Sequence, residues 1–465
     1  MTAKRTETDS LGTVEIPHTA AWGSQTQRAL ENFPITGVSI SHYPELIMGL
    51  AAVKKACALA NRDLGGLAAP KADAIAAVCD EILNGQHRKQ FVVDVMQGGA
   101  GTSTNMNANE VIANLVLKKF GKEQGNYSQI HPNDDVNRSQ STNDVYPTAI
   151  RLAVLARISP LIQAMSNLSN SLGRKAEEFD HITKVGRTQL QDAVPMSLGA
   201  EFRGFATTIN EDVDRLSDLS RLLTEVNLGG TAIGTRINAP AKFGETAVMH
   251  LREITGEPLT LAADLIEASS DLGAFVMFSG TLKRVGIKLS KVCNDLRLMS
   301  SGPRAGIGEI VLPAVQAGSS IMPGKVNPVI PEVVNQVCYQ AIGNDLTVTM
   351  AAEAGQFQLN AMEPVIIHKV LETMGSLTNA MNVLSDRCVD GIVADEERCQ
   401  TLLENSLVHV TALAPIIGYE AATKLAKHAQ ANDLSLQAAA EPVLSADQVA
   451  IALTHLGFGE GGNIE

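Results

Sequence analysis

Apolar residues recur every three or four positions along five long stretches of the chain, and this spacing places them on one face of an α-helix. The stretches are residues 145–179, 196–226, 271–300, 331–353 and 364–390. Their apolar positions are Leu161, Met165, Leu168, Leu172, Phe202, Phe205, Ile209, Val213, Leu216, Leu219, Leu223, Leu282, Val285, Leu289, Val292, Leu296, Met299, Val334, Val337, Ala341, Val370, Met374, Leu377, Met381 and Leu384. Five long helices of this kind predict a bundle, with all of these residues in its core.

Shorter helical patterns lie outside the long stretches. Residues 44–63, 68–84 and 104–119 predict three helices among turns rich in glycine and asparagine. We therefore expect a mainly α protein of three domains: a mostly helical N-terminal domain (1–140), a central long-helix bundle (141–395) and a small helical C-terminal domain (396–465). The glycine-rich end, GFGEGGNIE, is predicted to be a frayed tail.

Composition indicates a globular protein and limits the kinds of partner that it can bind. Hydrophobic residues make up 45% of the chain and aromatic residues only 4%, so the core is aliphatic, as suits helix packing. The net charge of −13 argues against a broad nucleic-acid surface. The six cysteines form no Cys-x-x-Cys pair and predict buried thiols in a reducing compartment. No signal peptide or run of 18 apolar residues is recognisable, so we expect a cytoplasmic protein without a membrane span.

Four polar segments interrupt the helical pattern. QGGAGTSTNMNANE (97–110) combines glycines with three hydroxyl residues at a predicted helix start, which suits an anion or an ordinary helix cap. HPNDDVNRSQSTNDVYP (131–147) carries Ser141, Thr142 and Asn143, more polar groups than one cap requires. VGRTQLQDAVP (185–195) offers Thr188 and Gln189 as ligand contacts, and we expect its arginine and aspartate to form a structural pair.

The fourth segment, AGSSIMPGKVNPVIPE (317–332), groups two serines, a lysine and an asparagine around a Met-Pro-Gly bend. Lys325 suits a carboxylate, Asn327 could orient it, and a serine could act as a nucleophile or a base. The segment lacks the Gly-x-Ser-x-Gly and Ser-x-x-Lys patterns of hydrolases and lactamases. From the residues alone we infer a site for a small anionic molecule, with the reaction left open.

In this order, the four segments resemble those of the aspartase/fumarase superfamily, and GSSIMPGKVN is close to its most specific signature. NLGGTAIGT, SSGPRAGIGEI and GYEAATKLAKHA extend the similarity over nearly the whole chain. The resemblance implies a three-domain fold with a long central helical bundle. It also implies a homotetramer whose active sites are each shared between three subunits, and the elimination of ammonia or water from a small dicarboxylate to give fumarate.

The resemblance also assigns roles to residues. Ser319 matches the family's catalytic base, which removes a proton next to the distal carboxylate and so creates an aci-carboxylate. The donors around that carboxylate match Thr102, Ser141, Thr142 and Ser320. The contacts to the other carboxylate match Thr188, Lys325 and Asn327, and Asn143 lies between the two groups. We expect loop amides and Lys325 to activate the serine, and the Met-Pro-Gly bend to belong to a mobile lid.

Gln189 separates two branches of the family. Fumarate hydratases of class II carry a histidine there, paired with a glutamate that matches Glu332. A neutral amide cannot shuttle a proton, which favours elimination of ammonia from L-aspartate over dehydration of L-malate. A lyase for a substituted aspartate and a non-catalytic relative, as among lens crystallins, are further alternatives. Ser319, Lys325 and Asn327 argue against the latter.

Arg236 stands where the family usually has glycine. It could recognise a further anionic group of the substrate, or it could point to solvent or to a subunit interface. The family implies no organic cofactor. Activation by a divalent cation stays open, because no cluster of histidine, aspartate and glutamate has a convincing ligand spacing.

Overall fold

Helices dominate the structure, a computed structural model that describes residues 3–440 and 445–447. The predicted mainly α fold is confirmed, including all five long helices and the three shorter N-terminal ones; the predicted tail at 457–465 lies outside the described residues. The helices are α1 Ser24–Asn32, α2 Pro44–Asp63, α3 Ala69–Leu83, α4 Thr102–Lys119, α5 Thr142–Glu178, α6 Leu198–Ser220, α7 Phe243–Thr255, α8 Gly273–Met299, α9 Val329–Glu353, α10 Glu363–Arg387, α11 Glu396–Glu404, α12 His409–Ile417, α13 Tyr419–Asn432 and α14 Leu436–Ala440.

Within the described residues, four two-stranded sheets accompany the helices, and the sequence analysis did not predict them. The strands are β1 Lys4–Asp9, β2 Gly12–Pro17, β3 Thr183–Thr188, β4 Gln191–Ser197, β5 Glu225–Val226, β6 Thr260–Leu261, β7 Ile310–Val311 and β8 Val393–Ala394. β5 and β6 are parallel, whereas the other pairs are antiparallel. Four of the eight strands have only two residues, too few for an alternating pattern to be recognised.

The apolar faces of the long helices are buried, as predicted, with three exceptions. Every predicted core residue of α5, α8 and α10 is buried, and those of α8 are at most 4% exposed. Val213 and Leu219 on α6 and Val337 on α9 are only half-buried, so their assignment to the core was wrong. These three lie at the margins of their apolar faces, where helical periodicity alone does not separate core from boundary.

The described chain forms two compact units. The first comprises Met1–Ala164, Asp212–Ile287 and Val337–Asn379, and the second comprises Met165–Glu211, Lys288–Gln336 and Ala380–Glu465. All the divisions between them fall inside the long helices α5, α6, α8, α9 and α10. The three domains expected from the sequence stay a prediction.

Of the described helices, α5 is long and apolar enough to cross a membrane. Within the protein, however, 72% of its most apolar stretch is buried, as in the core helix of a bundle. Length and composition are therefore weak grounds for a membrane span here. All six cysteines are buried, as predicted.

Candidate active site

The first polar segment forms the turn that leads into α4, in the first compact unit. Gly101 immediately precedes the helix with a φ of +86°, and a Cβ atom there would lie 2.6 Å from the ring of Tyr146. Both the backbone conformation and the close approach require glycine. Thr102 is exposed at the first position of α4, where its hydroxyl donates to the carbonyl of Gly99 at 2.6 Å.

The second segment caps α5. The Ser141 hydroxyl accepts from the Asn143 amide at 3.2 Å, while the Ser141 amide donates to the Asp144 carboxylate at 2.9 Å. This reciprocal arrangement is a capping box. It uses Ser141 and Asp144 but not the side chains of Thr142 and Asn143, so the segment does contain more polar groups than its cap needs.

Thr142 and Asn143 are held by other elements of the first unit. The Thr142 hydroxyl oxygen accepts from Asn105 Nδ2 at 3.0 Å. Asn143 Nδ2 donates to the carbonyl of Ala232 at 2.8 Å, and the Asn143 carbonyl accepts from Asn227. The first turn of α5 is therefore tied both to α4 and to the loop at 227–232.

Asp144 is a functional candidate that the sequence analysis missed. Its carboxylate is fully buried and accepts from the backbone amides of Gly229 and Thr231 at 3.0 and 2.9 Å. Burial raises its pKa to about 6, although those backbone hydrogen bonds oppose the shift. An acidic residue three positions after a capping serine is the signal that could have identified it.

The fourth segment forms an exposed loop in the second compact unit, and its first serine is held by backbone amides. Ser319 Oγ accepts from the amides of Ile321 and Met322 at 3.2 and 3.1 Å. Two N–H donors on one hydroxyl oxygen favour its deprotonated form, because they stabilise negative charge there. Ser320, the next residue, is exposed.

Backbone and amide contacts close the same loop. The Gly318 amide donates to the Lys325 carbonyl at 2.9 Å, and Asn327 Nδ2 donates to the Gly318 carbonyl at 2.7 Å. A Cβ atom at Gly318 would lie 2.2 Å from the Lys325 carbonyl oxygen, so glycine is required. Gly324 has a φ of +80° after Pro323, the sequence that a type II turn favours.

Thr188 and Gln189 lie at the tip of the β3–β4 hairpin, also in the second unit. Both are exposed, and the two-residue turn consists of Gln189 and Leu190, with φ of +54° and +61°. Turns of this kind usually contain asparagine or glycine, because other residues are strained at positive φ. A strained polar residue at an exposed tip is typical of a functional position.

The predicted pairing of Arg187 with Asp192 was wrong. The two residues are opposite each other in the hairpin, but Arg187 Nη1 forms an ion pair with Glu309 Oε1 at 2.6 Å. Glu309 is fully buried and also pairs with Lys184 at 2.8 Å. A buried carboxylate between two cations is a stronger partner than an exposed aspartate across the strands.

Two further residues from the sequence analysis have partners of their own. Glu332 lies in the first turn of α9, and its carboxylate is 4.0 Å from the Arg297 guanidinium. Its charged partner here is thus an arginine and not the histidine that the resemblance implies for class II fumarate hydratases. Arg236 has a φ of +62°, and its guanidinium pairs with the exposed Glu245 at 3.1 Å. The Arg236 side chain is 40% exposed, so in the single chain it is turned toward solvent.

The predicted site residues thus fall into two groups. Thr102, Ser141, Thr142 and Asn143 lie in the first unit, and Thr188, Gln189, Ser319, Ser320, Lys325 and Asn327 lie in the second. Asn105 joins the first group through its bond to Thr142. Among the described residues, no group of three or more histidine, cysteine, aspartate or glutamate side chains is arranged to hold a metal ion.

Comparison with known proteins reveals similarity over almost the entire chain. A family model described as "Lyase" matches residues 12–343, and one described as "Fumarase C C-terminus" matches residues 410–454. An aspartate ammonia-lyase of Pseudomonas canavaninivorans is 59% identical over 91% of this chain and 90% of its own length. One of Escherichia coli K12 is 55% identical, over 89% and 87%.

Solved structures agree with these matches. A fumarate lyase:delta crystallin from Brucella melitensis, bound to cobalt, is 56% identical with a TM-score of 0.94, covering 98% of this chain and 99% of its own. A class II fumarase from Schistosoma mansoni is 34% identical with a TM-score of 0.93, covering 98% of both chains. The chain therefore belongs to the lyase family of these proteins, the aspartase/fumarase superfamily that its polar segments resemble.

Proposed function

We propose that this protein is an aspartate ammonia-lyase, a carbon–nitrogen lyase that reversibly converts L-aspartate to fumarate and ammonia. The observation that carries the proposal is the 52–59% identity to proteins of that activity over about 90% of the chain. Gln189 supports it, because the histidine expected of a class II fumarase is missing while Glu332 pairs with Arg297.

Ser319 acts as the base in this proposal. Its oxygen removes a proton from the carbon beside the distal carboxylate, and the electron pair is delocalised into that carboxylate as a dianion. The pair then forms the carbon–carbon double bond as the amine leaves the neighbouring carbon with its own bonding electrons. The amides of Ile321 and Met322 support this role, since they stabilise the serine alkoxide that must take the proton.

The remaining candidates bind the two carboxylates. Ser141, Thr142 and Ser320 donate to the carboxylate that becomes the dianion, and Thr102 joins them when its hydroxyl turns from the Gly99 carbonyl to the substrate. Each donor contributes about 10²–10³ in rate. Thr188, Lys325 and Asn327 hold the other carboxylate. Asn143 and Gln189 contact the part of the substrate that lies between its two carboxylates. In the part of the chain that the structure describes, the ammonium group of Lys325 has no ion-pair partner, which suits a charge reserved for a substrate.

Assembly into a homotetramer, with each active site shared between three subunits, is part of the proposal. Its support is an apolar stripe on α9 in the first unit, formed by Tyr339, Ile342, Leu346 and Met350, whose side chains are all at least 36% exposed. Such a stripe on a long helix suits burial against another copy of the chain. Leu346→Glu should dissociate the tetramer in sedimentation velocity, whereas Gln340→Glu, on the same helix outside the stripe, should not.

Location and cofactor use complete the proposal. A cytoplasmic location is supported by the six buried cysteines, since buried thiols persist in reducing compartments. The mechanism requires no organic cofactor, because the protein itself supplies the base and the anion donors. Assays with a chelator and with added Mg²⁺ would test activation by divalent cations.

The central test follows fumarate absorbance with L-aspartate and with L-malate. We expect turnover of aspartate to exceed that of malate by far; the reverse result would identify a fumarate hydratase. N-substituted aspartates test the remaining lyase alternative. Ser319→Ala should lose about 10²–10⁴ in turnover while still binding succinate, and near wild-type turnover would refute the assignment of the base.

A further inference from the structure

Lys54, on α2, is a fully buried lysine that sequence analysis did not single out. Its ammonium group donates to Asn137 Oδ1 at 2.8 Å and to Gln140 Oε1 at 2.9 Å. A lysine ammonium has donors only, so both amides must turn their oxygen atoms toward it. Gln140 is also oriented by two backbone carbonyls that accept from its NH₂ group, whereas the NH₂ group of Asn137 has only a long contact of 3.4 Å to the Gln140 carbonyl. The contact with Lys54 is therefore the strongest of those that orient the Asn137 amide.

From Asn137 the hydrogen bonds continue to the first turn of α5. Asn137 Oδ1 also accepts from Asn105 Nδ2 at 3.2 Å, and the same Asn105 nitrogen donates to Thr142 Oγ1 at 3.0 Å. Because the Asn137 oxygen faces it, Asn105 must present its NH₂ group. Thr142 is thereby made an acceptor from Asn105, and its single hydroxyl proton is left to donate elsewhere.

The buried oxygen of Asn105 indicates that this orientation is imposed. Asn105 is 1% exposed, and its Oδ1 has no hydrogen-bond partner among the described residues. An unpaired buried acceptor costs about 1–3 kcal/mol. If the Asn105 amide were reversed, its oxygen would face the Asn137 oxygen, acceptor against acceptor. Asn105 therefore keeps the orientation that follows from the contact between Lys54 and Asn137, even though its own oxygen stays without a hydrogen bond.

Lys54 keeps its donors at neutral pH. Burial lowers its pKa to about 8, and the negative charge of Asp144 opposes that shift. At pH 7 the ammonium form still predominates. The buried positive charge is linked by hydrogen bonds through Asn137 and Asn105 to Thr142, which is proposed to bind an anion, and a positive charge so close to an anion adds a favourable electrostatic contribution.

We propose that Lys54 is a positioning residue that acts through Asn137 and Asn105 to make Thr142 a donor to the substrate carboxylate. The inference rests on the proposed function, since that function assigns Thr142 its role. The hydrogen bond from Thr142 to the carboxylate strengthens as the carboxylate becomes a dianion. If Lys54 no longer fixes the order of donors and acceptors from Asn137 to Thr142, kcat should therefore fall by more than KM rises.

A double-mutant cycle tests this connection. Lys54→Met, which keeps an unbranched apolar side chain, should reduce kcat/KM about 10²-fold, the weight of one such donor, and weaken succinate binding about tenfold. Lys54→Gln, which can still offer an NH₂ group to Asn137, should recover much of the loss. In a Thr142→Ala background, Lys54→Met should have little further effect, because the residue through which it acts is absent.

The neighbouring Lys55 provides the matched control. Lys55 lies on the same helix and pairs with Asp80 at 2.6 Å. It takes no part in the series of hydrogen bonds that leads to Thr142, so Lys55→Met should leave kcat and KM unchanged. The proposal is overturned if Lys54→Met lowers kcat/KM as much in the Thr142→Ala background as in the wild-type background, or if folded Lys54→Met retains wild-type constants. If the wild type does not turn over L-aspartate, the proposed function fails instead, and succinate affinities measured by calorimetry in the same four proteins still decide the role of Lys54.

Discussion

Replacing Glu309 by glutamine should destabilise the β3–β4 hairpin and the site residues at its tip. The carboxylate has no exposed surface and lies 2.6 Å from Arg187 and 2.8 Å from Lys184. The amide of glutamine is similar in size but neutral. Its oxygen can face only one of the two cations, and its NH₂ group then opposes the other, donor against donor.

The expected magnitude follows from which cations lose their partner. Removing one member of a buried ion pair costs about 3–5 kcal/mol. Lys184, whose side chain is only 4% exposed, keeps Glu201 as a second partner, and Arg187 is 19% exposed and partly hydrated. We therefore expect a loss of about 2–4 kcal/mol in the free energy of unfolding, somewhat less than for a pair whose cation keeps no other partner.

Urea unfolding at a fixed protomer concentration measures this loss, and hydrogen exchange of the β3 and β4 amides locates it. Glu201→Gln is the control, because Glu201 is 22% exposed and its removal leaves Lys184 paired with Glu309; it should cost about 1 kcal/mol or less. Adding Lys184→Met to Glu309→Gln should restore part of the stability. A Glu309→Gln protein within about 0.5 kcal/mol of wild type, with unchanged exchange in the hairpin, would refute the reasoning.

Two further predictions concern the first unit. Arg236 has a φ of +62°, where residues other than glycine are strained, so Arg236→Gly should be about 1 kcal/mol more stable than Arg236→Ala in urea unfolding. Equal stability of the two variants would contradict that strain. Both variants should keep the wild-type preference for unsubstituted aspartate. Asp144, with its pKa raised to about 6, is protonated more readily in the folded than in the unfolded chain, so its contribution to stability is fully present below pH 3.8 and is lost as the pH rises toward 6. Relative to Asp144→Asn, the wild type should therefore lose about 3 kcal/mol over that range, measured by urea unfolding at several pH values; parallel pH profiles would disprove it.

Much of the fold could be predicted because helices are encoded locally. The predicted range for α2 agrees with the structure, and the predicted start of α9 differs by two residues. Periodicity failed where an element is too short to show it, as in the two-residue strands β5 to β8. It also placed Val213, Leu219 and Val337 in the core although they lie at its margin.

The candidate site was predictable in its residue types but not in its support. The segment around Ser319 combines hydroxyl, cation and amide side chains, and this composition alone indicated an anion site. The structure adds the amides of Ile321 and Met322 on that serine, and it replaces the expected Arg187–Asp192 pair by Glu309. Neither could be inferred beforehand, because local composition does not specify which distant side chain becomes buried beside a charge.

The sequence by itself determined the helices, the loops between them and the polar groups available for chemistry, because each depends on residues close together in the chain. Only the tertiary structure decided which partners those groups have. Arg187 and Glu309 are 122 positions apart, and Lys54 and Asn137 are 83 apart. These long-range contacts are required by burial, because a charge that is removed from water is stable only beside a counter-charge or hydrogen-bond acceptors within the fold.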